Sequence, residues 1–211
     1  MKKLLMCLTS CIITGSLSQV VEADSNETVS VSYLSTSVDY TQGASKSSGD
    51  LSGYSIDGTI PVGEKFYVGL GYASMDGTIL GVNAAIDETY LGFGMNLRDD
   101  LDLSKGKGSR LRLGIAKVST EFTVSLGGSS ATDKDKANFI TGGYEMATGD
   151  KTSFTFGISG PTKDFNPTFS LGGRYEVGAG SISAGFSSSE DLVNGVTVET
   201  SGFNLGYSFS Y

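Results

Sequence analysis

The stretch VTVETSGFNLGYSFSY, residues 196–211, decides how the chain is to be read. From Phe203 onward its odd positions are Phe203, Leu205, Tyr207, Phe209 and Tyr211. The even positions between them are Asn204, Gly206, Ser208 and Ser210. Strict alternation of large apolar with small polar side chains yields two distinct faces only in an extended strand. One face is built for an apolar surrounding and the other for a cramped polar one.

The same alternation recurs along the chain. A first strand spans about 29–40. A second sets Tyr54, Ile56, Ile60 and Val62 against Ser55, Asp57 and Thr59. A third sets Phe66, Val68, Leu70 and Tyr72 against Tyr67 and glycines, and a fourth sets Leu91, Phe93, Met95 and Leu97 against Glu88, Tyr90 and glycines. The fifth carries Leu111, Leu113 and Ile115 opposite Arg110 and Arg112. Its continuation through Phe122 and Val124 would need a change of phase near Lys117, which reads as a bulge. Strands six to nine follow the same rule, with Glu145, Arg174 and Glu176 on the small-residue face. The expected count is ten, with eight as the alternative. Polar loops are expected at 41–50, 74–84, 127–136 and 188–195, and tight turns after strands two, six and eight. Strands of about 9–11 residues would cross a bilayer at a tilt.

Composition narrows the class. The chain has 211 residues, 30 Gly, 3 Pro, no His and no Trp, with 18% charged residues. Charge is below the usual quarter of a soluble domain. Apolar residues are spread over a wall and not concentrated in one core. The bulky face is nearly free of charge, and the glycine-rich face is too small to cover it. Large apolar residues therefore point outward to lipid, the reverse of a soluble barrel. Tyr33, Tyr54, Tyr72, Tyr144, Tyr175 and Tyr207 are placed to form interfacial girdles on that face.

Residues 1–23 read as a signal peptide, leaving 24–211 as the barrel domain. Lys2 and Lys3 precede the apolar run Leu4 to Ile13, and Val21-Glu22-Ala23 ends in a small residue. Leu8-Thr9-Ser10-Cys11 offers a rival lipobox reading, weakened by the apolar run continuing past Cys11. Both cysteines, Cys7 and Cys11, lie in this leader, so cleavage after Ala23 leaves neither disulfide nor thiol chemistry. Loss of Lys2, Lys3 and Glu22 takes the formal charge from -8 to about -9, a poor match for nucleic acid.

Leader, alternating strands, short turns against longer loops, and the terminal Phe203-x-Leu205-x-Tyr207-x-Phe209-x-Tyr211 together resemble the small outer-membrane β-barrel (porin-like) proteins of Gram-negative bacteria. The resemblance implies an all-β, antiparallel, up-and-down transmembrane β-barrel in the cell outer membrane. It implies outer-membrane lipid and the barrel-assembly machinery as partners. It also implies that the alternating C-terminal residues Phe203, Leu205, Tyr207, Phe209 and Tyr211 serve as the assembly signal.

Chemistry is sparse. Without His, a Ser-His-Asp arrangement is excluded. Asp57, Glu88, Arg110, Arg112, Glu145, Arg174 and Glu176 share the lumen face and are expected to neutralise one another as a lumen charge network, more simply than to act as acid and base. Asp100-Leu101-Asp102-Leu103-Ser104 only faintly suggests a calcium loop, since Lys105 and Leu111 occupy the positions that need Gly and Glu. Gly106-Lys107-Gly108-Ser109 lacks phosphate-loop spacing. No cofactor, metal site or catalytic residue is expected. The expected function is a non-catalytic structural or surface-interaction barrel. The alternative is a narrow channel for ions or small solutes, and a more distant one is a soluble exported ligand-binding barrel.

Overall fold

A computed structural model describes residues 27–163, 165–193 and 195–210. The expected signal peptide at 1–23 and Tyr211 lie outside the described residues. Ten strands follow in order: β1 (Thr28–Gln42), β2 (Ser45–Val62), β3 (Phe66–Ile79), β4 (Val82–Asp99), β5 (Ser109–Leu126), β6 (Ser129–Gly149), β7 (Thr152–Pro161), β8 (Thr168–Val177), β9 (Gly180–Val193) and β10 (Val196–Ser210). Every strand pairs antiparallel with its sequence neighbour, and β1 closes on β10. Closure matters physically, because it removes the edges whose open peptide groups lipid cannot satisfy. Carried round the wall from partner to partner, the register of Thr28 comes back to β1 near Tyr40, so the strands are tilted as closure requires.

The expected loops are strand. Residues 45–50, 74–79, 82–84, 129–136 and 188–193 belong to paired strands, and the turns left between them are as short as 43–44, 80–81 and 127–128. Strands are accordingly 10 to 21 residues long, and all but β7 and β8 run beyond what a bilayer needs. The connections also depart from the expected short-and-long asymmetry. The longest, 100–108, lies at the end that holds the chain termini, and the far end is closed mostly by two-residue turns. Leu80 and Gly81, with φ of 53° and 77°, show the double positive φ that matches such a hairpin to the twist of its strands.

The reason the sequence misled is a reversal of polarity within single strands. Toward the termini, β1 points Val31 and Tyr33 outward and Ser30 and Ser32 inward. Toward the far end it points Ser37 and Asp39 outward and buries Leu34, Val38 and Tyr40. In β3, Leu70 and Tyr72 face outward, then Asp76 does so while Met75 and Ile79 are buried. β5 does the same without slipping. Ala116, Val118 and Thr120 are buried in one phase, and its register with β6 runs unbroken from Ser109 to Leu126. The bulge expected near Lys117 is absent. Register shifts fall instead between Asn96 and Arg98 and between Ala147 and Gly149. The molecule is thus one barrel in two zones. The first is apolar outside and polar inside. The second is polar outside and filled by Leu34, Val38, Leu51, Met75, Ile79, Ile86 and Val198.

β7 and β8 are short, so the wall is notched at the far end. β6 pairs with β7 only from Phe139 downward, leaving the 129–138 edge without a ladder partner on that side. Thr162 N–H donates to the Asn138 carbonyl at 2.8 Å, and Asn166 donates to the Glu190 carbonyl at 2.7 Å. These bonds tie the β7–β8 connection across the base of the notch.

Candidate functional site: the lumen

The lumen is built by inward residues at every second position of ten strands. Glu145 lies on β6 toward the end that holds the chain termini and is fully buried. It sits directly across the ladder from Arg110 on β5, whose Nη1 lies 3.5 Å from Glu145 Oε2. Arg174 Nη1 on β8 approaches Glu145 Oε1 at 3.8 Å, and Ser153 Oγ on β7 donates to that oxygen at 2.6 Å. Arg110 Nε also donates to Asp99 at 2.7 Å, and Arg174 Nη2 lies 3.7 Å from Glu176. A buried carboxylate costs several kcal/mol of lost hydration unless opposite charge and hydrogen bonds replace the water. Here two guanidiniums supply the opposite charge and Ser153 a hydrogen bond, on Oε1, while Oε2 faces Arg110 at 3.5 Å without a hydrogen bond among the described residues.

The remaining members of the expected set occupy other levels. Arg112 donates from Nε to Asn96 at 2.9 Å and lies 5.4 Å from the centre of the Tyr67 ring. That pairing is the geometry of a cation held on an aromatic face. Asp57 on β2 accepts from Tyr90 O–H at 2.7 Å and from Ser55 Oγ at 2.9 Å. Glu88 on β4 accepts from Thr120 at 3.1 Å. The structure therefore gathers Arg110, Glu145, Arg174 and Glu176 into one chain of charge, and surrounds Asp57 with hydroxyls. Asp99, Asn96, Tyr67, Tyr90 and Ser153 complete these clusters and were not singled out from the sequence. For Asn96, Tyr67 and Tyr90 the signal was inward parity within strands already recognised, whereas Asp99 lies in a stretch read as a connection, past the register shift between Asn96 and Arg98.

Glycine makes room for the large side chains. A methyl on Gly94 would strike the Tyr67 ring, and one on Gly71 would strike both Tyr90 and Asp57. The inward side chains are consequently packed against one another over most of the lumen, with the far ends of β5 and β6 half-buried. Ser55, Val118, Phe139, Glu145, Arg112 and Val198 are each 1% exposed or less, although they lie at different heights along the barrel. Among the described residues there is no cluster of three His, Cys, Asp or Glu that would hold a metal ion. Phe203, Leu205 and Phe209 face outward on β10.

The outer wall is the complement. Tyr33, Tyr54, Leu91, Phe93, Ile115, Phe186, Leu205 and Phe209 are among many large apolar side chains left about half exposed. Tyr54 and Tyr72 lie with ring centres 6.2 Å apart at the upper border of this band. Soluble monomers rarely expose so continuous an apolar belt, whereas a membrane barrel requires it.

No family model matches the chain, and no curated protein does. Solved structures do. The translocator domain of the autotransporter NalP from Neisseria meningitidis is 13% identical, with 95% of each chain covered and a TM-score of 0.55. The transport unit of the autotransporter AIDA-I from Escherichia coli is 10% identical, covering 93% of this chain and 98% of that one, with a TM-score of 0.49. Neisserial surface protein A is 10% identical, covering 87% and 97%, with a TM-score of 0.45. Identities this low speak for fold alone. The closed ten-strand wall and its apolar belt make this chain a membrane β-barrel, and its up-and-down fold is similar to that of the NalP translocator domain.

Proposed function

We propose that the chain is a non-catalytic protein of the Gram-negative outer membrane, whose closed barrel carries a rigid crown of hairpins at the cell surface. The observation that carries this reading is the filled lumen. A conducting pore needs a water-lined path from end to end, and wetted walls to hold it. Here Ser55, Arg112, Glu145, Phe139, Val118 and Val198 are nearly inaccessible at successive levels, and the far end is packed with aliphatic side chains. A narrow channel was the other reading of a glycine- and serine-rich inner face. The packing favours the closed form.

Export by the 1–23 leader and recognition of the C-terminal strand by the assembly machinery belong to the same proposal. The lack of His bears on the non-catalytic part, since general-base catalysis by that residue is impossible. The test is electrical. Purified barrel, incorporated into planar bilayers, is expected to give no discrete conductance steps over a wide voltage range. Reproducible unit steps that grow with salt would establish a channel and overturn the proposal.

A further inference from the structure

The outer wall is not uniform where the apolar belt ends. At the first outward position beyond the belt, the other strands that continue carry serine, threonine, asparagine or glycine; β5 carries Lys117. Lys117 pairs across the ladder with Asn138, and Ser119 pairs with Lys136, so the two lysines are diagonal neighbours on the outer face. Such neighbours lie about 7–8 Å apart at their backbones, a span two long ammonium side chains readily bridge. Both are exposed, and neither has an ion pair among the described residues. Of the acids nearby, Glu121 is held by Lys134 at 2.6 Å, Asp87 accepts from Tyr72 at 2.7 Å, and Asp133 and Asp135 accept from the backbone N–H groups of Lys134 and Lys136.

Directly below Lys117 the wall is indented. A groove of roughly 530 Å³ runs between Val68, Leu91, Phe93 and Ile115, with Lys117 and Asn138 at its rim. An apolar slot that reaches Lys117 and the Asn138 amide, with Lys136 the diagonal neighbour of Lys117 beyond it, has the chemistry of an acyl chain joined to an anion. We propose that one phosphate-bearing lipid of the surrounding membrane binds here, its phosphate between Lys117 and Lys136 and one chain in the groove. The site rests on the membrane reading, because only a lipid-embedded wall would present it to such a ligand.

Native mass spectrometry of the detergent-solubilised barrel tests this, with dioleoylphosphatidic acid and dioleoylglycerol as probes. One phosphatidic acid is expected to remain bound at concentrations where dioleoylglycerol does not. K117E/K136E should weaken its retention about tenfold or more, in line with the worth of two lysines near an anionic lipid. V68W, which fills the groove and leaves the charges in place, should also weaken it. Equal retention of the two lipids, or unchanged retention by K117E/K136E, would overturn the proposal. All substituted side chains point outward, and a mobility shift on boiling reports whether each variant is still a barrel. Loss of that shift in the unaltered protein would count against the membrane reading, whereas a normal shift without selective retention would count against the site alone.

Discussion

At the scale of single residues, Glu145 is the position on which the lumen depends most. Removing its carboxylate leaves Arg110 and Arg174 buried beside one another, with Asp99 and Glu176 as partial compensation. Breaking a buried pair from one side typically costs about 3–5 kcal/mol. Glu145→Ala should therefore lower the unfolding free energy in detergent by that order, read from urea-dependent tryptophan-free fluorescence of tyrosine or from loss of the boiling shift. Glu145→Gln, which keeps the hydrogen bond from Ser153, should cost less. Equal stability of all three proteins would mean that water, not Glu145, satisfies the guanidiniums. The sequence made this residue visible by parity alone. Its neighbour Tyr67 was equally visible as an inward residue, yet nothing in the local pattern announced that Arg112 would lie on its ring.

At the scale of elements, the two polarity zones make opposite demands on the same strand. Met75 is buried in the aliphatic fill of the far end, and Leu91 faces outward in the belt. Met75→Ala should cost about 2–5 kcal/mol through lost contacts and a cavity. Leu91→Ala, where lipid or detergent closes over the gap, should cost well under that. Parallel denaturation curves of the two variants check the contrast, and equal losses would show that the far end is loosely packed. The turn at 100–108 supplies a pH test. Lys105 and Ser104 hydrogen-bond to the Asp102 carboxylate and lower its pKa from the usual 3.8 to about 2. A depressed carboxylate stabilises above its unfolded value and loses that contribution as pH falls through the folded one. Titrating the backbone amide signals of this turn should give a midpoint near pH 2; a midpoint near 4 would mean the contacts are not held in solution. Strand number and the outward set in the belt were legible because alternation there is aligned with the apolar face. Strand lengths were not. Past Tyr33, Tyr72 or Ile115 the pattern reverses sign, and a reversed pattern of serines and aspartates resembles a loop when only the apolar face is followed.

At the scale of the molecule, the proposed orientation puts the two-residue turns of the far end outside the cell and both described chain ends within the periplasm. With cleavage after Ala23 the mature chain lacks cysteine, so single cysteines report cleanly. Ala44→Cys lies in the β1–β2 turn and Glu64→Cys in the β2–β3 turn at the opposite end, both exposed. A membrane-impermeant maleimide added to intact cells should label the first and spare the second until the outer membrane is opened. The reverse pattern would invert the barrel. The closed wall itself followed from the sequence, since alternation in an even number of strands has few other solutions in lipid. The filling of its lumen did not, because it depends on which inward side chains meet across the barrel, and that is fixed by register and tilt.

The extension of the strands beyond the belt has a consequence for how this surface is met by other molecules. A digestive enzyme must draw a length of unpaired backbone into its cleft, and paired hairpins closed by turns such as 43–44 and 80–81 offer very little. The exceptions are the β7–β8 connection and the open edge of β6 at 129–138, and a first cut should fall at one of them. Antibodies raised against the folded surface would bind side chains contributed by neighbouring strands, Ser37 beside Asp50 for instance. Such recognition would vanish once the protein is boiled, and short peptides copied from the turns would be poor immunogens in its place.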